Sequence, residues 1–303
     1  MKNIFSLSTS WNSHAHSSGV RLIEEIKRIG FDTVELNFAL TDLMVNDILR
    51  LKENGKIKVS SLHNMCPLPK EIPPNEASPD YYSLSSSDEA ERRLAVNAAK
   101  VTIDYAKKFN ARAVVLHAGR IPIKDRTRDL ASLFDDRQNF TKLREDMIRE
   151  RSENKGAYLD NIMKSIEELT LYARSSGIAL GIENRYYYRE IPIIEEFEMI
   201  FSHFKDRDLY YWHDVGHAEV FDRLGLVHHL DLLNKFSNRL IGVHLHDIMG
   251  LVDDHKSPGM GTFDFKILKP YLNNDVIKVL EIHQPAGAEQ VRRSAEFLSK
   301  ILG

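Results

Sequence analysis

Ala179-Leu180-Gly181-Ile182-Glu183-Asn184 is a short apolar run that stops on a carboxylate. The segment before it, Leu159–Arg174, carries Leu159, Ile162, Met163, Ile166, Leu169 and Ala173 on one face, the period of an amphipathic helix. Gly177 punctuates the passage between them. A helix, a glycine, an apolar strand and then a polar side chain make one repeating unit of a parallel sheet. The same grammar runs outward in both directions. It predicts strands at Ile4–Ser8, Thr33–Asn37, Lys58–His63, Ala113–His117, Ala179–Glu183, Leu209–His213, Leu240–His246 and Ile277–Ile282. Helices are predicted at Val20–Ile29, Leu43–Asn54 and Asp88–Phe109, the last with Ser87 or Asp88 as its N-cap. A closing helix carries Val291, Ala295, Leu298 and Leu302 at spacings of a helix face. Eight strand-then-helix units with no break in composition predict one α/β domain over residues 1–303, a single (β/α)8 barrel of parallel strands.

Two connections are long. The stretch of about residues 67–87 is rich in proline and serine and is predicted to be an irregular loop over the barrel mouth. The stretch of about residues 120–156 mixes both signs of charge and should hold an extra helix near Asp136–Arg151, read as a solvated charged helix in preference to a lid or partner-binding arm.

The chain has 303 residues, with 43% hydrophobic and 28% charged side chains, the balance of a soluble globular protein. Its formal charge of -3 offers no basic surface for generic nucleic-acid binding. A single cysteine, Cys66, rules out an internal disulfide and is read as structural, which suits a reducing, cytoplasmic setting. The apolar run at the N-terminus is too short for a signal peptide, and no run approaches the roughly 18 apolar residues of a membrane span.

Active sites of parallel barrels form at the C-terminal rim, where strands end and βα loops begin. Here the third strand ends at His63, the fourth at His117, the fifth at Glu183, and the sixth runs into Asp214 and His217. The seventh carries His244 and His246, its loop adds Asp253 and His255, and the eighth ends at Glu281. His, Asp and Glu are costly in an apolar layer unless paired or metal-bound, and they are the side chains that ligate divalent metals. Six consecutive strands converging on one rim with such residues point to a metal site. The expected cofactor is a divalent ion, zinc first, with manganese or magnesium as alternatives.

With these residues in place, the chain resembles the xylose isomerase-like TIM barrels, and within them the endonuclease IV branch, AP endonuclease family 2. That branch binds three zinc ions through nine ligands in a fixed chain order. The resemblance assigns them here to His63, His117, Glu183, Asp214, His217, His244, Asp253, His255 and Glu281. It implies that His63 and His117 hold one metal, that Asp214, His244 and Glu281 hold a second, that Glu183 bridges these two, and that His217, Asp253 and His255 hold the third. The glycine loop Gly259–Phe265 also looks like that of the superfamily. Two departures weigh against duplex DNA as the substrate. The stretch Asn64–Pro69 lacks the aromatic wedge of the DNA-cutting relatives, and the chain is acidic.

Two chemistries follow. The complete nine-residue set favours metal-assisted phosphoester hydrolysis, in which clustered cations polarise phosphoryl oxygens and activate water. The alternative is isomerisation or epimerisation of a sugar or sugar phosphate. It needs one metal held by Glu183, Asp214, His244 and Glu281, with Glu183 and Glu281 as the proton-transferring pair. A barrel serving only as a binding module is the third and least favoured reading. Arg185, His14 and His246 are expected substrate contacts, and Tyr186, Tyr187 and Tyr188 with Arg189 lie beside Arg185. Glu35 ends the second strand and could support the site. His213 and His283 are expected on the opposite faces of their strands, and His228 and His229 on a helix surface.

Overall fold

The computed structural model describes residues 5–303, so Ile4 of the first predicted strand lies outside the described residues. Eight parallel strands close a barrel in chain order: β1 (Ser6–Ser8), β2 (Thr33–Leu36), β3 (Lys58–His63), β4 (Ala113–Leu116), β5 (Ala179–Glu183), β6 (Leu209–Asp214), β7 (Leu240–Leu245) and β8 (Ile277–Leu280). The last strand pairs with the first, Leu7 standing beside both Val34 and Leu280. Around the strands run α1 (Gly19–Arg28), α2 (Asp42–Glu53), α3 (Glu89–Phe109), α4 (Thr127–Ser132), α5 (Arg137–Asn154), α6 (Gly156–Ser176), α7 (Ile194–His203), α8 (Val215–Arg223), α9 (His229–Phe236) and α10 (Ala288–Leu302). Between β7 and β8 no α-helix forms among the described residues. A single 3-10 turn, Phe265–Leu268, takes its place.

Local sequence sets the element ends. Asp88 caps α3, its carboxylate accepting from the Ala90 amide at 2.8 Å, and Asn110 ends the helix in the left-handed region. The expected charged helix is present as α5, but one face is buried through Phe140, Met147 and Arg151. The Arg151 guanidinium donates to the Tyr188 carbonyl, to the Glu190 carbonyl at 2.9 Å and to Glu196 at 2.6 Å. The insertion is thereby anchored to the loop that follows β5. The other long connection is irregular apart from a 3-10 turn at Pro74–Glu76, and it carries Asp80 to the rim.

Side chains alternate across each strand. Outward positions such as Val34, Leu62, Val114, Leu180 and Val243 join the helices in the main core. Inward positions Ala113, Val115, Trp212, Ile277 and Val279 pack on one another inside the barrel. Trp212 dominates that layer and needs bare backbone opposite it. A Cβ at Gly242 would fall 2.2 Å from its ring. The next inward positions along the strands, Glu183, Asp214, His244 and Glu281, therefore rest on a solid apolar floor.

Candidate metal centre

The deepest part of the rim is a carboxylate-rich cluster. Donor atoms of Glu183, Asp214, His244 and Glu281, all buried, lie within 4.8 Å of one another. His244 fixes its logic. Its Nε2 lies 2.9 Å from Glu35, whose other oxygen accepts from Ser61 at 2.7 Å. A carboxylate accepts only, so Nε2 carries the hydrogen. Nδ1 then faces Glu183 at 2.6 Å, Glu281 at 3.0 Å and Asp214 at 3.6 Å. Burial alone would depress the His244 value, yet Glu281, Glu35 and Glu183 raise it well above the usual imidazole range. Burial would likewise raise Glu183, and His244 and His117 hold its carboxyl well below the usual range. A ring nitrogen that faces three carboxylates marks a position where a divalent cation fits. Three carboxylates and one imidazole braced by Glu35 form a suitable ligand set.

The second cluster is His63, His117 and Glu183. His63 Nδ1 donates to the Asn64 carbonyl at 2.8 Å and His117 Nδ1 to Asp80 at 2.9 Å, so both Nε2 atoms turn lone pairs toward Glu183. Here the protein brings its own cation. Arg185 Nη1 donates to His117 Nε2 at 2.5 Å and to Glu183 at 3.1 Å, while its Nη2 reaches Asp80 and Glu190, each at 3.1 Å. A metal in this triad would stand beside the guanidinium.

The third group lies toward the β7–β8 loop. His217 Nε2 is 3.4 Å and His255 Nδ1 2.9 Å from Asp253 Oδ2. Burial would lower the His217 value, and Asp214 and Asp253 raise it to about 9. Asp214 also caps α8, its Oδ1 accepting from the His217 amide at 2.8 Å, so one side chain starts the helix and faces two clusters. His246, His255 and His283 form a stack, with centroids 4.0 and 3.9 Å apart and planes within 4°.

Above these groups opens a cavity of about 360 Å³ lined by Phe38, His63, Asp80, His117, Arg128, Glu183, Arg185, Tyr186, Tyr187, His217, Asp253, His255, Glu281 and His283. A groove of about 390 Å³ between the Pro67–Glu71 loop and α3 holds none of the strand-end residues.

All nine residues implied by the resemblance gather at the rim, and Arg185 lines the cavity. Four other placements differ. His14 is exposed and does not line the cavity, because Asn12 and His16 tie this loop to Glu25 of α1. His246 is fully buried under the His255 ring, outside the cavity lining. His283 faces inward, because it lies two residues beyond Glu281 and shares its face. Burial and the neighbouring His255 push its value down to about 3. His229 is buried, with Nε2 3.0 Å from His213 and Nδ1 3.1 Å from Glu219. His213 does turn to the outer face of β6, where Tyr211 lies 2.6 Å away. Phe38, Asp80 and Arg128 are cavity residues not anticipated from sequence. All three arrive on loops or on the short α4, where no periodicity marks them.

A family model described as xylose isomerase-like TIM barrel matches residues 23–301. An uncharacterized protein of Methanocaldococcus jannaschii is 25% identical over 183 residues, which is 60% of this chain and 53% of that protein. The match thus spans about half of that relative's length. Among solved structures, a D-tagatose 3-epimerase-like protein superposes with a TM-score of 0.67 at 22% identity, covering 98% of this chain and 96% of its own. The 3-keto-D-glucoside 4-epimerase of E. coli gives 0.68 at 14% identity, covering 99% and 100%. At these identities the likeness is one of fold.

Proposed function

Because this chain belongs to the xylose isomerase-like TIM-barrel family, we propose that it is a divalent-metal-dependent isomerase or epimerase of a small sugar. One observation carries the reading: Glu183, Asp214, His244 and Glu281, from four different strands, bring their donor atoms within 4.8 Å, and Glu183 and Glu281 among them line a sugar-sized cavity. The epimerases of similar fold support it over the hydrolytic expectation. Glu183, Asp214, His244 and Glu281 would hold the ion. When bound, it supplies Lewis acidity toward the oxygens of a ketose.

The chain's own groups do the rest. Glu183 ends β5 and Glu281 follows β8, both line the cavity, and they are the two carboxylates that would take a proton from the carbon beside a carbonyl and return one. Arg185 presents a buried, fixed guanidinium to a sugar oxygen. Phe38, Tyr186 and Tyr187 supply apolar faces for the ring carbons.

The test is solvent exchange. Protein supplied with Mn²⁺ or Mg²⁺ and a panel of ketoses in D2O should place deuterium on the carbon next to the carbonyl. Glu183→Gln and Glu281→Gln should each reduce that exchange at least about 100-fold. Absence of exchange across the panel overturns the reading. Phosphoester hydrolysis is the second reading, favoured by the gathering of all nine residues at one rim, and cleavage of simple phosphodiesters would put it first.

A further inference from the structure

We propose that Arg128, with the Tyr186 hydroxyl beside it, grips an anionic end of the sugar, so that the substrate is a sugar phosphate or a sugar acid and not a neutral sugar. That the ligand is a sugar rests on the isomerase reading; that it is an anion rests on Arg128.

Two arginines line the cavity, and their surroundings differ. Arg185 is buried and saturated, with Asp80, Glu183 and Glu190 each 3.1 Å from its guanidinium. Arg128 is exposed and forms no ion pair among the described residues. Its guanidinium carbon stands 5.9 Å from the centre of the Tyr187 ring, and the Tyr186 hydroxyl adjoins it. The cations on either side are compensated, Lys124 by Asp129 at 3.9 Å and Arg126 by Glu150. Arg128 alone in this stretch keeps its charge for the cavity. An arginine fork fits the oxygens of a phosphate or a carboxylate through two parallel N–H bonds.

The Tyr186 hydroxyl points to the same ligand. Tyr186 is 4% exposed and lines the cavity, and its oxygen is buried without a close hydrogen-bond partner among the described residues. Buried hydroxyls are ordinarily paired. A phenol is protonated at neutral pH and can donate, so an anion held by Arg128 would supply the acceptor that Tyr186 lacks. Both groups are held in place. The Tyr188 amide donates to Thr127 Oγ1 at 2.9 Å, which fastens α4, one residue before Arg128, to the loop that bears Tyr186. Leu130 of α4 and Tyr186 share one buried cluster. The rest of the wall sets the orientation. Asp80, Glu183, Asp253 and Glu281 also line the cavity and would repel a negative group. The anionic end therefore goes to Arg128, and the reacting carbons go to the carboxylates.

The experiment measures calorimetric binding of ribitol, ribitol 5-phosphate and ribonate to full-length protein supplied with Mn²⁺. The three probes share a carbon chain and lack a reactive carbonyl. Wild type is expected to bind one of the anions at least about 10-fold more tightly than ribitol. Ribitol 5-phosphate leads if the substrate is a phosphate, and ribonate leads if it is an acid. Arg128→Gln should bring the preferred anion to within about 3-fold of ribitol. Arg128→Lys keeps the charge without the fork and should fall between. Tyr186→Phe removes only the hydroxyl and should weaken the anion by a smaller factor. If Arg128→Gln does not fold, Arg128→Lys and Tyr186→Phe serve the same comparison. A wild type that does not discriminate overturns the proposal. So does a preference intact in Arg128→Gln, because the anion then sits on the ion or on Arg185. Deuterium exchange separates the two readings. Exchange on neutral ketoses with no anion preference keeps the isomerase and overturns the anion grip. An anion preference lost in Arg128→Gln, with no exchange on ketose phosphates or ketouronates, upholds the grip and overturns the isomerase. Neither preference nor exchange overturns both.

Discussion

Arg185 brings a fixed cation to the His63, His117 and Glu183 cluster. Its guanidinium donates to His117 and Glu183 and is itself held by Asp80 and Glu190, so burial is offset by carboxylates that raise its value above the ordinary guanidinium range. Removing that charge leaves two imidazole lone pairs and a carboxylate converging with no cation of their own. Arg185→Met is therefore expected to take up one more Zn²⁺ per chain than wild type, measured by elemental analysis after gel filtration. An unchanged metal content would mean that the guanidinium is not what fills the triad. At this scale the sequence was legible wherever strand parity spoke. Glu183, Asp214, His244 and Glu281 end strands whose inward face is set by alternation, so their convergence could be read from spacing. The same rule, applied to His283, would have placed it inward beside Glu281. Asp80 was illegible because it reaches His117 from the irregular loop after β3. His246 was seen on the correct face, but the ring of His255 that covers it comes from a loop without period.

The elements show which local signals were strong. The strands end within two residues of their predicted limits because apolar, β-branched runs between glycines and caps leave few alternatives. The helix after β4 was predicted as a solvated charged helix, and its charge pattern concealed Arg151, a buried anchor. The contact between α8 and α9 was missed for a similar reason. His229 opens α9, and its burial depends on Glu219, which arrives from α8. Burial would raise the Glu219 carboxyl, but His229 and Arg223 hold it below the usual carboxylate range. Its folded value is thus lower than its unfolded one. The associated stability is present above the usual range and is lost as pH falls through the folded value. Glu219→Gln should be less stable than wild type by on the order of 1–3 kcal/mol at neutral pH, with the gap closing below about pH 4. Urea unfolding at the two pH values measures this, and a gap independent of pH would remove the charge from the account.

The whole barrel is tied by the site it carries. Glu183, Asp214, His244 and Glu281 belong to β5, the β6 end, β7 and the β8 end, so a bound ion would join four neighbouring strands at one point. Without it, three carboxylates repel across a few ångströms. Chelator-stripped protein is expected to melt below the metal-loaded form. Ligand linkage gives about 2.7 kcal/mol at free metal one hundred times the dissociation constant. Calorimetry with and without added Mn²⁺ reads the shift, and coincident melting curves would detach the ion from the fold. Eight repeating units made the closed ring legible, and the 3-10 turn in place of a helix before β8 was not, since the glycine loop carries no helical period. One feature of the ring bears on traffic. Trp212, seated against Gly242 and Gly181, stops the barrel axis directly beneath the carboxylates. Among the described residues the chamber therefore has a closed floor, and a bound molecule would come and go on the side of the loops that follow the strands.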